Sequence, residues 1–340
     1  MSKESVISKI KSRNKWLVND LVSGVLQGNI SALSKAITLV ESQSPKDISS
    51  KNKLFEQLPS NQAKTLRIAV TGVPGAGKSS ILESLVDEIA SDTHKVAILA
   101  IDPSSPMSMG SILGDKTRME KLAKNPDVYI RPSPNQLHLG GLSIYTYESI
   151  SLLELAGFNT IFVETVGVGQ SEFEVKQLTD LVWMVLAPGG GDELQGIKKG
   201  IIEMADFIIV NKADGDLMSS AKVALSHYKN ALHYNQGSGI QKEFFLCSTY
   251  SGLGIKDLWS RTMAIKEKFE STDEISLKRI QQKSYWFEKR VMEGWTSILS
   301  SNPYFRGKLD EYADILKRSN NTPFFYANQF ISDVLRSLPK

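Results

Sequence analysis

The sequence has few of the residues from which disulfide-bonded, zinc-binding or membrane-spanning proteins are built. Its 340 residues include one cysteine, Cys247, and four histidines. A lone cysteine excludes an intrachain disulfide, and the histidines show no spacing typical of a zinc site. No apolar stretch approaches the ~18–20 residues that a membrane span needs, so we expect no membrane partner.

An excess of charge of one sign is also lacking. With 40 basic and 37 acidic residues the net charge is only +3, and the chain contains no long basic run. We therefore expect no nucleic-acid partner. The first residues have neither the apolar core of a signal peptide nor the Arg-rich, acid-free composition of a mitochondrial transit peptide, which predicts a cytoplasmic location.

The pattern of apolar residues divides the chain into three parts. In residues 1–64 they recur at helical spacing, apart from a polar stretch at 43–53 that is typical of a linker. Residues 65–270 alternate apolar runs with helical segments, which predicts an α/β domain with a mostly parallel sheet and helices on both faces. The expected strands are 66–71, 96–101, 159–164, 181–187, 206–211 and 243–248. Residues 271–340 are expected to form a helical extension that either joins subunits or packs on its own domain.

A glycine-rich loop follows the first expected strand. Residues 72–79 read Gly-Val-Pro-Gly-Ala-Gly-Lys-Ser, a complete G-x-x-x-x-G-K-S pattern. Between a strand and a helix, such a loop is typical of P-loop NTPases, whose backbone N–H groups wrap a polyphosphate. Lys78 would reach the β- and γ-phosphates, and the Ser79 hydroxyl would ligate Mg²⁺. The predicted phosphate-binding residues are Gly72, Val73, Pro74, Gly75, Ala76, Gly77, Lys78, Ser79 and Ser80.

A second motif specifies the base. Asn211, Lys212 and Asp214 form an Asn-Lys-x-Asp sequence at the end of an expected strand. The Asp214 carboxylate can accept from the two adjacent N–H donors of guanine, whereas adenine presents a lone pair at N1 and no amino group at C2. The motif therefore predicts GTP and GDP as ligands. Backbone amides after the last strand would approach the guanine carbonyl oxygen, and they belong to Ser248, Thr249 and Tyr250.

Acidic residues suited to magnesium binding and hydrolysis lie between these two motifs. Asp102 follows one expected strand, Glu164 ends another, and Asp115 lies between them. Mg²⁺ prefers oxygen ligands and keeps several waters, so one or two carboxylates suffice to hold it and a third can orient the attacking water. Each carboxylate taken alone is also compatible with a helix cap, Asp102 in particular.

Residues 187–200 contain a glycine triplet near their start and two lysines near their end. Glycines at a strand end favour a mobile loop, from which a lysine could reach a phosphate. The same pattern fits an ordinary loop-to-helix junction with solvated lysines. The residues alone favour that second interpretation.

Together the motifs resemble one family, the G-protein chaperones of adenosylcobalamin-dependent acyl-CoA mutases. This family of SIMIBI-class P-loop proteins includes those associated with methylmalonyl-CoA mutase and was formerly described as arginine/ornithine transport ATPases. The similarity covers nearly the whole chain. It is carried by residues 32–42, 72–79, 102–105, 110–119, 163–172, 191–200 and 211–216. The sequence departs from the family pattern at Thr249, where alanine is usual, and in 139–146, which lacks the usual basic residues.

The resemblance implies a Mg²⁺-dependent GTPase of low intrinsic rate, with the C-terminal helices joining a homodimer. It implies that the protein gates adenosylcobalamin loading on a mutase, expected to be methylmalonyl-CoA mutase, and protects or reactivates that enzyme. Asp102, Asp115 and Glu164 become the magnesium and switch carboxylates. Lys198 becomes a catalytic lysine, beside Lys78, that enters the site when the partner activates hydrolysis.

Three other function classes fit part of the pattern. A P-loop kinase would phosphorylate a small molecule or a transport protein, but it needs an acceptor site, and the Asn-Lys-x-Asp motif favours a guanine switch. A metal-delivery GTPase would need cysteine and histidine ligands, which this sequence hardly offers. A binding module would keep the nucleotide site without turnover.

Overall fold

The fold is built around a parallel sheet. The computed structural model describes residues 16–60, 64–102, 119, 122–134, 142–165, 172–189, 199–233, 242–319 and 321–337. Within these ranges the strands are β1 Leu66–Gly72, β2 Val96–Asp102, β3 Val128–Pro134, β4 Thr160–Thr165, β5 Leu181–Leu186, β6 Phe207–Val210 and β7 Glu243–Leu246. They lie in the order β3-β2-β4-β1-β5-β6-β7, and each neighbouring pair is parallel. The predicted α/β class is confirmed.

Most of the strands are followed by an α-helix, since a parallel pair needs a long crossover connection, usually a helix. The α-helices before residue 272 are α1 Val18–Leu26, α2 Ile30–Glu41, α3 Ile48–Gln57, α4 Lys78–Ile89, α5 Tyr145–Leu155, α6 Glu172–Lys176, α7 Lys199–Met204, α8 Leu217–His233 and α9 Ile255–Ser271 among the described residues. The C-terminal helices are α10 Glu274–Ser301, α11 Pro303–Lys317 and α12 Pro323–Ser337. The chain separates into two compact units, Met1–Gln282 and Lys283–Lys340. The division into 1–64, 65–270 and 271–340 stays a prediction.

The core of the sheet is apolar on both faces. Every residue of β1 and β5 is buried. The Trp183 ring of β5 lies between Phe162 of β4 and Phe207 of β6, with ring centroids 5.7 and 6.1 Å away. Because helices cover both faces, the central strands are continuous apolar runs in the sequence, which is why the sequence pattern predicts them.

Two elements differ from the sequence-based prediction. The sequence-based prediction misses strand β3. This strand lies at the edge of the sheet, pairs with β2 and contains Pro132 and Pro134. Proline removes a ladder donor, so edge strands tolerate it and lose the usual strand signature. The linker expected at 43–53 is wrong, since α3 begins at Ile48. That helix buries only Leu54, so it lacks a clear apolar stripe.

Candidate functional site

Predicted site residues from the phosphate loop, the end of β4 and the turn after β6 lie together because each of these segments ends or follows a parallel strand. The carboxyl ends of such strands meet at one edge of the sheet, where ligands bind. A cavity of ≈ 550 Å³ opens at this edge. It is lined by Pro74, Gly75, Gly77, Lys78, Ser79, Ser80, Glu83, Ala100, Ile101, Glu164, Thr165 and Lys212.

The glycine-rich loop fits its place only because two positions lack a side chain. Gly72 has a φ of 144°, and a Cβ there would lie 1.9 Å from the carbonyl oxygen of Val185 on β5. Gly77 has a φ of 91°, and a Cβ there would lie 2.4 Å from Nδ2 of Asn211. The loop therefore passes close to β5 and to Asn211, which follows β6, before it enters α4.

Lys78 places its ammonium group inside this loop. The side chain is buried, and Nζ donates to the carbonyl oxygens of Gly72 at 3.0 Å and Val73 at 3.3 Å. Helix α4 begins at Lys78, so its first N–H groups have no intrahelical acceptor and carry the positive end of the helix dipole. A helix N-terminus with a lysine beside it is suited to bind phosphate.

Ser79 and Glu164 place two oxygen ligands side by side. The Ser79 hydroxyl donates to Oε1 of Glu164 at 2.6 Å, and this contact joins the start of α4 to the end of β4. A hydroxyl beside a carboxylate is a hard oxygen pair of the kind that Mg²⁺ prefers, so these residues fit that ion. Within the described ranges, no group of three or more His, Cys, Asp or Glu side chains is placed to hold a metal.

The structure describes the other predicted catalytic residues only in part. The backbone of Asp102 ends β2 at the same edge of the sheet. Asp115 and Lys198 lie outside the described residues, and so do the adjoining segments 103–118 and 190–198. The sequence-based prediction does not include Glu83, which lines the cavity one helical turn after Ser79. The i, i+4 spacing of these two residues on α4 is the signal that could have found it.

Asn211 joins the base motif to the phosphate loop. It is buried, and its Nδ2 donates to the carbonyl oxygens of Ala76 at 3.0 Å and Gly77 at 3.5 Å. The next residue, Lys212, is exposed, lines the cavity and has a φ of 58°. The turn after β6 thus lies directly against the loop that follows β1.

Ser248 holds the carboxylate that is predicted to read guanine. Its hydroxyl donates to Oδ2 of Asp214. The Ser248 hydroxyl oxygen itself accepts from the backbone N–H groups of Tyr250 at 3.2 Å and Ser251 at 3.1 Å. One hydroxyl therefore fixes both the Asp214 carboxylate and the turn after β7, whereas the sequence suggests only a backbone contribution from Ser248. The adjacent Cys247 offers no thiolate, since burial raises the pKa of its thiol to about 12.

The fold and this site define a class of protein. A central strand that enters a G-x-x-x-x-G-K-S loop, with a buried lysine and an Asn-Lys-x-Asp turn against that loop, is the arrangement of a P-loop GTPase. Such a site binds a guanine nucleotide.

Comparison with known proteins narrows the class to a family. The model of the family "Methylmalonyl Co-A mutase-associated GTPase MeaB" matches residues 33–303. GTPase ArgK of Escherichia coli K12 is 39% identical over 313 residues, which cover 91% of this chain and 93% of the relative. The mitochondrial methylmalonic aciduria type A homolog of Mus musculus is 37% identical over 312 residues, which cover 88% of this chain and 75% of the relative. The chain belongs to the MeaB family of GTPases.

A solved structure supports the same assignment. The crystal structure of an LAO/AO transport system kinase superposes with a TM-score of 0.73 at 30% identity, covering 95% of this chain and 99% of that one. The predicted family and GTPase activity are thus confirmed.

In the described parts of the chain, every helix is too short or too polar to cross a membrane.

Asp214→Asn tests the assignment of the base site. An amide cannot accept both guanine donors and places its own N–H group against one of them, so GDP affinity should fall at least about a hundredfold. Affinity for xanthosine diphosphate, which has a carbonyl in place of the amino group, should rise. Competition with a fluorescent nucleotide measures both.

The matched control is Asp216→Asn, which changes an exposed carboxylate two residues away. It should leave both affinities unchanged. Equal GDP affinity in wild type and Asp214→Asn would refute the role of Asp214.

Proposed function

We propose that this protein is a GTP-dependent chaperone of an adenosylcobalamin-dependent acyl-CoA mutase, namely methylmalonyl-CoA mutase. It gates loading of the cofactor onto that enzyme and protects or reactivates it, from a cytoplasmic location. The observation that carries the proposal is the match of residues 33–303 to a family of mutase-associated GTPases. The name of the murine relative, a methylmalonic aciduria type A homolog, points to the same metabolism.

The nucleotide acts together with Mg²⁺ in this proposal. Ser79 and Glu164 would hold the ion, and Asp102 and Asp115 are the further carboxylates that we assign to it or to its waters. When bound, Mg²⁺ would neutralise charge on the β- and γ-phosphates. The support from the structure is the 2.6 Å contact between the Ser79 and Glu164 oxygens beside Lys78.

The residues of the chain hold the reacting groups in place. In hydrolysis a water oxygen bonds to the γ-phosphorus, and the bond from that phosphorus to the β–γ bridging oxygen breaks, so that this oxygen leaves with GDP. The proton that the water loses passes to the solvent. Lys78 exchanges the carbonyl oxygens of Gly72 and Val73 for phosphate oxygens, which are stronger acceptors because they are charged. Its ammonium then stabilises the charge that develops on the phosphates.

Lys198 makes hydrolysis respond to the partner. When the mutase binds, this lysine enters the site and adds a second ammonium group, besides that of Lys78, to the transferring phosphoryl group. A cation supplied on demand is an efficient switch, because removing one transition-state donor costs ~10²–10³ in kcat. Whether GTP or GDP is bound then depends on whether the mutase has bound.

A kinase is the second candidate function. The solved relative with a TM-score of 0.73 is named an LAO/AO transport system kinase. A kinase would transfer the γ-phosphoryl group to an acceptor rather than to water. Labelled product that forms only with a small-molecule acceptor would favour this function over the chaperone.

Addition of methylmalonyl-CoA mutase should raise kcat for GTP hydrolysis, and adenosylcobalamin transfer to the apo-mutase should require GTP. In Lys198→Ala the stimulated kcat should fall by about 10², since the incoming cation is lost. Phosphate release, followed with and without mutase, measures the effect.

Lys199→Ala is the matched control, because it removes the neighbouring positive charge and should leave stimulation in place. The same kcat with and without mutase, for an otherwise active protein, would contradict the proposed partner.

We also propose that the protein is a homodimer joined through the unit Lys283–Lys340. That unit carries large apolar side chains at its surface, among them Phe324 at 77% exposure and Leu335 at 63%. Exposed apolar patches of this kind are typical of interaction surfaces.

Sedimentation equilibrium should give about twice the chain mass of 37.6 kDa. Phe324→Glu should shift the protein toward monomer because it places a charge in the apolar interface. Asn321→Glu, which adds the same charge at an exposed polar position, serves as the control. A monomeric wild type at micromolar concentration would contradict the proposal.

A further inference from the structure

One aromatic side chain beside the predicted base site is almost fully exposed. Tyr250, in the turn between β7 and α9, is 92% exposed. A lone exposed apolar side chain on a protein surface is ordinary. Tyr250 differs because its turn is bonded to the carboxylate of Asp214, so a ligand bound by that carboxylate would lie within its reach.

Hydrogen bonds fix the backbone of this turn. The Ser248 N–H donates to the carbonyl oxygen of Leu253 at 3.0 Å and closes the turn. The Ala213 N–H donates to the carbonyl oxygen of Cys247 at 2.9 Å, just before the turn begins. Together with the bond from the Ser248 hydroxyl to Asp214, this contact joins the turn to the Asn-Lys-x-Asp segment. The turn therefore presents its side chains from a defined place beside the guanine-reading carboxylate.

The turn offers a backbone donor to the base. The N–H groups of Tyr250 and Ser251 are already used, since they donate to the Ser248 hydroxyl oxygen at 3.2 and 3.1 Å. Among the residues that the structure describes, the N–H of Thr249 has no acceptor. We therefore expect the guanine carbonyl oxygen against Thr249 and the two guanine N–H donors against Asp214. Both contacts are made by the edge of the base.

Edge contacts leave the two faces of the purine ring in water. An aromatic side chain can cover one face, because stacking removes apolar area of both rings from water and places their π-systems in a favourable offset arrangement. Tyrosine is suited to this contact, since only two side-chain torsions have to be fixed on binding. Tyr250 follows Thr249 directly, and an exposed side chain changes rotamer within picoseconds to nanoseconds. Its ring can therefore turn onto a base held at Thr249.

We infer that Tyr250 is a base-stacking residue of the nucleotide site. Its ring covers one face of guanine while Asp214 binds the edge. Every base has a π-face, so the ring adds affinity without distinguishing one purine from another, and discrimination stays with Asp214. The inference rests on guanine nucleotide binding at this site and is independent of the proposed mutase partner.

Tyr250→Ala in the full-length chain tests the stack. Loss of one base–aromatic contact should raise the Kd for GDP about tenfold. Pyrophosphate has no base and should bind equally well to wild type and variant. Tyr250→Phe keeps the ring, so its Kd for GDP should stay within about twofold of wild type. Titration calorimetry measures GDP binding, and competition with GDP measures pyrophosphate binding.

Tyr304→Ala is the matched control, because it removes an exposed tyrosine from the other compact unit, Lys283–Lys340. It should leave the Kd for GDP unchanged. An unchanged Kd in Tyr250→Ala would overturn the inference, and so would an equal loss of affinity in Tyr250→Phe. A matching loss of pyrophosphate affinity would also overturn it, since the whole site rather than the stack would then be disturbed.

The Asp214→Asn variant separates this inference from the assignment of the base site. Weak GDP binding by Asp214→Asn beside normal binding by Tyr250→Ala would refute the stack and keep the base site. Normal binding by both variants would refute the base site together with the stack.

Discussion

The site depends on the parallel pairing of β1 with β4 and β5. In this register Val70 lies opposite Glu164, and Gly72 lies opposite Val185. The phosphate loop therefore leaves β1 between the two strands, close enough to β4 for the Ser79 hydroxyl to reach Glu164 at 2.6 Å. A shift of one residue would turn these side chains to the opposite face of the sheet and separate the pair.

Hydrogen bonds join the phosphate part of the site to the base part. Asn211 ties the turn after β6 to the loop carbonyls, and Ser248 ties the turn after β7 to Asp214. Because these side chains join the turns, the distance between Lys78 and the Asp214 carboxylate is set before any ligand binds. Such preorganisation reduces the cost of ordering the site on binding.

The central strands and the loop motifs were predictable from the sequence because their signals are local. Buried parallel strands are continuous apolar runs, and the loops have fixed spacings. Edge strand β3 was not predictable, since its prolines interrupt the apolar pattern by which strands are recognised. The contacts of Ser248 with Asp214 and of Gln282 with Thr179 join residues 34 and 103 positions apart, so no local pattern encodes them. The roles of Asp115 and Lys198 stay predictions, because both residues lie outside the described ranges.

The central claim is that one edge of the sheet binds guanine nucleotide and Mg²⁺ together. A crystal structure with GDP and Mg²⁺ tests it most directly. We predict the base against Asp214, the β-phosphate in the loop at 72–79 with Lys78 Nζ turned toward it, and the ion against Ser79. A nucleotide bound elsewhere, or a base that makes no contact with Asp214, would contradict the account.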